Sequence, residues 1–237
     1  NTATGKSTLA AGGAVFNITA ASTINGGNEA NFSSLLTHEG NGLLSVTNHN
    51  LTVGSGTDES ISVANAILLA ATTSGTVTSA IDNTESVDSL KTLFAAGETH
   101  ALTITITNNA ADTQLSTAAE FNAINNATSV AVNIANVTAL AASVLSDVDT
   151  LAQKITAGEF SNGTGLTTVA ISDGTIDATA LATAIDRLDT ANDGNTTDMT
   201  LATGATINVD ADEITHMLLD ETENRLDITD QKITVTN

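Results

Sequence analysis

The chain has no proline, cysteine, tryptophan or tyrosine, and only six lysines and arginines among 237 residues. Each absence excludes something. A chain of this length would ordinarily hold on the order of a dozen prolines. Their loss fits a backbone in which strand pairing recurs along the whole length, because proline lacks the N–H a ladder needs. Without cysteine there are no disulfides, no thiol catalysis and no thiolate-ligated zinc or iron–sulfur site. With five phenylalanines as the only aromatics, the apolar 41% must build its core from Ala, Val, Ile and Leu. Such residues suit narrow repeated layers better than a bulky globular centre. No apolar run is long enough to cross a bilayer, so no membrane insertion is expected.

Positive charge is nearly missing too. Lys6, Lys91, Lys154, Arg187, Arg225 and Lys232 stand against 27 acidic residues, for a net charge of −21. That balance repels phosphate backbones and anionic membrane surfaces, which argues against nucleic acid as a partner. It also keeps an apolar, repetitive chain soluble.

What is present is a strand-then-helix unit recurring about every 30 residues. Short alternating runs begin near Phe16, Leu44, Val77, Leu102, Val130, Val169, Met199 and Leu226. In the clearest unit Leu102, Ile104 and Ile106 alternate with Thr103, Thr105 and Thr107, the period of a strand. Thr117 then precedes Glu120 by three, a capping-box arrangement, and Phe121 and Ile124 follow at helical spacing. The Val169 unit repeats this: a strand through Ile171, a turn at Asp173-Gly174, a cap at Asp177, and Leu181, Ile185 and Leu188 on one helical face. Leu140, Val144, Val148 and Leu151 predict one longer helix. Second strands are expected at Ile207 and Val209 and at Ile233 and Val235. Consecutive strands separated by helices pair in parallel with right-handed crossovers. The expected fold is therefore α/β: an irregular right-handed solenoid of about eight strand–helix repeats around a stacked parallel sheet, β-richer toward the C-terminus. Residues 1–14 are expected to be a flexible N-terminal arm and 15–237 a single repeat domain.

Chemistry-bearing motifs are few. Gly5-Lys6-Ser7-Thr8 matches the tail of a phosphate-binding loop, but the glycine and strand that should precede it are not in the sequence. Asp189, Asp193, Asn195 and Asp198 place hard oxygens on a glycine-containing loop, as calcium requires. The segment departs from the EF-hand pattern at Ala191 and Thr200, and an ordinary Asx-rich loop between units is the simpler explanation. Asn208, Asp210, Asp212 and Glu213 form a second oxygen-rich cluster, in which Asp210 or Asp212 would also serve as a helix cap. Calcium is the one cofactor these clusters suggest. His38, His49, His100 and His216 lack metal-ligand spacing and read as surface or turn residues. No Gly-x-Ser-x-Gly elbow is present, and acidic pairs such as Asp220-Glu221 lack the aromatic platforms of a sugar cleft. No enzyme activity is expected. Thr-rich strands raise an ice-binding face, which would need Thr-x-Thr in register on most coils; along the sequence that pattern is patchy.

The chain begins without Met and ends in the strand-like Ile233–Asn237, which suggests a processed product or a piece of a longer repeat protein. Open strand edges pair with other chains. Phe16 and Ile18 at one edge, and Ile233 and Val235 at the other, are the expected contacts for a homopolymer.

Segments such as ISDGTIDATALATAIDRLDT (171–190) and INVDADEITHMLLDETENRLDIT (207–229) resemble bacterial surface repeat proteins. The resemblance implies an extracellular or cell-surface scaffold of the S-layer, tube, filament or adhesin-stalk kind. The alternative is a calcium-dependent adhesin module cut from a larger secreted protein, with a cell-surface glycan as its partner.

Overall fold

The computed structural model describes residues 22–54, 59–93, 100–107, 116–135, 137–161, 165–192 and 196–236. Strands and helices alternate along it. Strand β1 (Thr23–Gly26) precedes α1 (Glu29–Gly40), and β2 (Asn50–Val53) with β3 (Ser60–Ile61) precedes α2 (Val63–Thr72). Next come β4 (Val77–Ile81) and α3 (Val87–Leu90), then β5 (Ala101–Thr103), β6 (Thr105–Thr107) and α4 (Ala118–Asn125). Strands β7 (Val132–Ala135) and β8 (Ala139–Ser143) lead into α5 (Leu145–Thr156). Strands β9 (Phe160–Ser161), β10 (Thr168–Ile171) and β11 (Thr175–Asp177) lead into α6 (Ala178–Ala191). Strands β12 (Asp198–Leu201) and β13 (Thr206–Asp210) lead into α7 (Ile214–Thr222), and β14 (Leu226–Asp227) and β15 (Lys232–Thr236) follow.

Strand pairing among the described residues is parallel throughout, and most partners lie roughly 23–31 residues apart. Thr23 pairs with Asn50, Leu51 with Val77 and Thr78 with Ala101. Thr105 pairs with Asn133, Thr168 with Asp198 and Thr206 with Lys232. The expected single stacked sheet is divided into four. These are β1-β2-β4-β3 with β5 on β4, then β6-β7-β9, β8-β10-β12-β14 and β11-β13-β15. The division follows from corners within each unit. Ser172–Gly174 separates β10 from β11, and Ala202–Ala205, with Gly204 at φ +74°, separates β12 from β13. One unit thus feeds two sheets.

Alternation sends Leu51, Val77, Leu102, Val132, Val169 and Met199 inward, where each is fully buried. The helices close over them: Leu145, Val148, Leu151 and Ile155 line α5, and Leu181, Ile185 and Leu188 line α6. The apolar cluster runs unbroken from Phe32 to Leu226. Threonines fasten the corners. Thr73 Oγ1 donates to His49 O (2.6 Å) and accepts from Gly75 N (2.9 Å). Thr128 Oγ1 does the same one unit pair later, with Leu102 O (2.7 Å) and Val130 N (3.1 Å). The serines that follow, Ser74 and Ser129, each donate a side-chain bond to the preceding corner, at Thr47 O and His100 O (both 3.0 Å).

Several expectations are corrected. The strand expected near Leu44 begins at Asn50: Leu44 makes only an isolated bridge, and a turn at Thr47–Asn48, across which His49 N donates to Val46 O (3.1 Å), intervenes before the ladder starts. The long helix through Leu140 and Val144 is a strand followed by a helix. Leu140 pairs with Val169 in the ladder, and Val144 is the N-cap residue of α5; their four-residue spacing coincides with a helical period by accident of the junction. His49 and His100 are buried, at 5% and 3% exposure, and His100 Nδ1 accepts the Val77 N–H (3.0 Å). The strand start at Phe16 and the arm at residues 1–14 lie outside the described residues.

Candidate functional site

Acidic side chains far outnumber basic ones, and several hold one unit to the next. The first helical N–H of α2, at Val63, donates to Glu85 Oε1 (2.8 Å), beyond the following strand. The same group of α4, at Ala118, donates to Ser143 Oγ (3.1 Å), and that of α5, at Leu145, to Asp173 Oδ2 (2.7 Å). A carboxylate or hydroxyl there satisfies a donor that the helix itself cannot. Glu29 reaches the other way, accepting from Ser62 N (3.2 Å) and from Asn65 Nδ2. The Asn65 bond, partly opposed by burial, holds its carboxyl below the ordinary range. None of these relays was read from the sequence. Their only signal is an acidic or hydroxyl residue about one unit after each helix start, and variable loops blur that spacing.

The cations stitch units together as well. Lys91 bridges Asp88 (2.6 Å) and Glu120 (2.7 Å), and these carboxylates push its ammonium up to about 12. Burial pushes the Glu120 carboxyl up, but Lys91 and Thr117 together hold it below its usual value. Arg187 pairs with Asp149 on the neighbouring helix. Arg225 is a hub: Nη1 faces Asp189 (3.2 Å) and Asp186 (3.5 Å), and Nη2 faces Asp220 (2.6 Å) and Glu223 (2.8 Å). The Asp220 side chain is 2% exposed. Burial pushes its carboxyl up in spite of the guanidinium.

Asp189, expected as a calcium ligand, is thus engaged within the protein: Oδ1 accepts from Thr197 N (3.3 Å) and Oδ2 meets Arg225. Asp193 and Asn195 lie outside the described residues. Asp198 is half-buried on β12, and burial together with the charge of Asp227 raises its carboxyl above the ordinary range. In the second cluster Asn208 stands in β13, in register between Asp177 and Thr234. Asp210 and Asp212 are exposed, and neither caps α7. Glu213 takes the N-cap position instead, accepting from Asp210 N (2.9 Å) and from the Thr179 hydroxyl of α6. Among the described residues no three His, Asp or Glu side chains form a metal-holding group.

The remaining expected site is the edge at Ile233 and Val235. Among the described residues strand β15 is bonded only to β13, and all five of its residues are exposed. Ile233 lies in register with Ile207 and Val235 with Val209. Ile207 and Val209 are 0% exposed; Ile233 and Val235 are 47% and 54% exposed. Leu218 and Leu219 of α7 are likewise 47% exposed. Phe16 and Ile18, the expected opposite edge, lie outside the described residues.

Comparison with protein-family models, with curated proteins and with solved structures finds no match. The arrangement itself therefore carries the functional reading. It offers a one-sided apolar strand, acidic side chains committed to capping and pairing, and two histidines, His49 and His100, sunk in the core while His216 stays exposed.

Proposed function

We propose that the protein is a non-enzymatic structural subunit displayed outside a bacterial cell, a right-handed solenoid that grows end to end into a filament, tube or surface layer with copies of itself. The observation that carries this reading is the exposure of strand β15. Ile233 and Val235 repeat, in register, positions that are fully buried one rung earlier, yet they stand half exposed on a strand with one partner among the described residues. A parallel strand laid on β15 would cover them as β15 covers β13, completing an edge that otherwise invites pairing. A further coil of the same chain would fit the same edge; the low Lys and Arg content, the Asn/Thr/Ala/Asp bias and the resemblance to surface repeat proteins favour a second copy. Calcium enters as a bridge between acidic flanks of neighbouring columns, with Asp198, Asp210 and Asp212, which pair with no Lys or Arg among the described residues, among its carboxylates.

Negative-stain electron microscopy of the purified chain, with calcium and again with EDTA, tests the reading. Ordered polymers are expected in both conditions. Polymers only with calcium would move the acidic clusters to the centre of the mechanism, and single particles throughout would overturn self-assembly in favour of a binding module.

A further inference from the structure

Helix α7 is held differently from the two helices before it. Helices α5 and α6 each bury five apolar residues. Helix α7 buries Met217 and, in place of further apolar anchors, the carboxylate of Asp220. Ile214 is only partly covered, and Leu218 and Leu219 stand half exposed. Arg225 makes up the difference. Its guanidinium joins Asp220 and Glu223, at the end of α7, to Asp186 and Asp189 of α6, all within 3.5 Å. Four carboxylates therefore crowd one cation, and when all are ionised each meets one attraction and three repulsions. Like charges this close disfavour full ionisation, and burial decides which member gives way. That member is Asp220, far more deeply buried than the other three. The remaining charged neighbours leave the imbalance in place. Arg187 of α6 is paired with Asp149 of α5, and Asp227 of β14 is exposed beside the buried Leu226. His216, one turn earlier on α7, brings Nδ1 to 3.8 Å from Asp220 Oδ2.

We propose that Asp220 is a proton-operated clamp: one proton taken up there relieves the crowding around Arg225 and tightens α7 on α6 and β14. The guanidinium stays paired throughout, because Asp186, Asp189 and Glu223 remain around it. Burial raises the Asp220 carboxyl above its ordinary range, and Asp186 adds to the rise, against the pull of Arg225 and His216. The folded chain thus binds this proton more readily than the unfolded chain does. The gain in stability appears as pH falls through the folded value and is complete near the ordinary carboxylate value of about 4. A helix anchored by one buried apolar side chain is where such a gain shows as local closing, since weakly packed elements open below the global unfolding energy. The clamp acts within one chain and does not depend on polymer formation.

The experiment is amide hydrogen exchange of the full chain from pH 7 to pH 4.5, with each rate divided by that of an unstructured peptide at the same pH. Protection of residues 217–223 should rise at least about threefold on acidification, and by more than that of α5. Asp220→Asn should be as well protected at pH 7 as the unaltered chain is in acid, with no further rise. His216→Gln should keep the rise, because the proton goes to the carboxylate. No rise at α7, an equal rise at α5, or loss of the rise in His216→Gln would each overturn the clamp. Should Asp220→Asn fail to fold, Asp186→Asn takes its place, as the most exposed and most distant carboxylate of the cluster. It should raise α7 protection at pH 7, whereas Glu221→Gln, which removes the same charge from α7 outside the cluster, should not. Equal effects of those two variants would assign the response to net charge and overturn the proposal.

Discussion

Asp173 Oδ2 accepts the backbone N–H of Leu145 at 2.7 Å, so the first turn of α5 is completed by the corner of the next unit. Val144, the residue in the N-cap position, offers no side-chain bond of its own. The cap is supplied from 28 residues away, and the stability of one unit is written partly into its neighbour. Asp173→Ala should cost roughly 1 kcal/mol, the usual worth of a helix cap. Hydrogen exchange should locate the loss at the start of α5, not in α6, which begins after Asp173. Faster exchange confined to residues 175–191 would contradict the assignment.

Arg225 should matter far more than the other cations. Its side chain is 13% exposed and it neutralises the buried Asp220. Removing one partner of a buried pair leaves an uncompensated charge and typically costs about 3–5 kcal/mol. Arg225→Met is therefore expected to unfold the C-terminal units at much lower urea. Lys91→Met, which breaks a more exposed bridge, should cost at most about 1 kcal/mol. Equal midpoints for the two variants would show that the hub contributes nothing special.

Carboxylates pull the acid response in two directions. Glu29, Glu120, Glu159 and Asp227 are held below their ordinary values, so the stability they contribute is present above the unfolded pKa and lost as pH falls through the folded one. Asp198 and Asp220 are raised, chiefly by burial. The folded state binds their protons more readily than the unfolded state does, so their penalty at neutral pH is relieved as pH falls through the folded pKa. Relief of self-repulsion in a chain of net charge −21 acts in the same direction. The melting temperature should rise slightly on acidification from pH 7 and then fall below about pH 4. Asp198→Asn should raise it at pH 7 and shrink the initial rise. A monotonic decline from pH 7 in the unaltered protein would contradict this balance.

Gly75 marks a contact that tolerates no side chain. A Cβ there would lie 2.3 Å from the carbonyl oxygen of His49, which is backbone fixed by the Thr73 hydroxyl. Gly75→Ala should destabilise the second and third units by about 1–3 kcal/mol through overpacking. Gly174→Ala, where a Cβ meets nothing within 4 Å, should be nearly silent. Thermal unfolding of the pair gives the comparison.

Much of the alternation was legible in the sequence because two periods are written plainly in it. Leu102, Ile104 and Ile106 do alternate as strand residues, although the ladder breaks at Ile104 into β5 and β6 of two sheets, and Thr117 with Glu120 forms the capping box its spacing promises. Helix α2 is not legible in the sequence because its run of Ala, Ile and Leu is apolar on nearly all sides, with Leu68 53% exposed, and so shows no clear stripe. The division into four sheets was hidden as well, since it depends on corners such as Gly204 that bend a rung without interrupting its composition. For the site, register was the missing information. Sequence alone could mark Ile233 and Val235 as strand residues. Only their alignment with Ile207 and Val209 shows that they continue a column that is buried on β13 and exposed on β15.

The most direct test of the central claim compares polymer growth by the unaltered chain and by Val235→Lys, followed by light scattering and negative-stain microscopy. Val235 is 54% exposed, so a lysine there should leave the fold and its circular dichroism unchanged. A charged side chain on the edge should block pairing and leave short or single particles. Polymers of normal length from a normally folded Val235→Lys protein would contradict growth through the β15 edge.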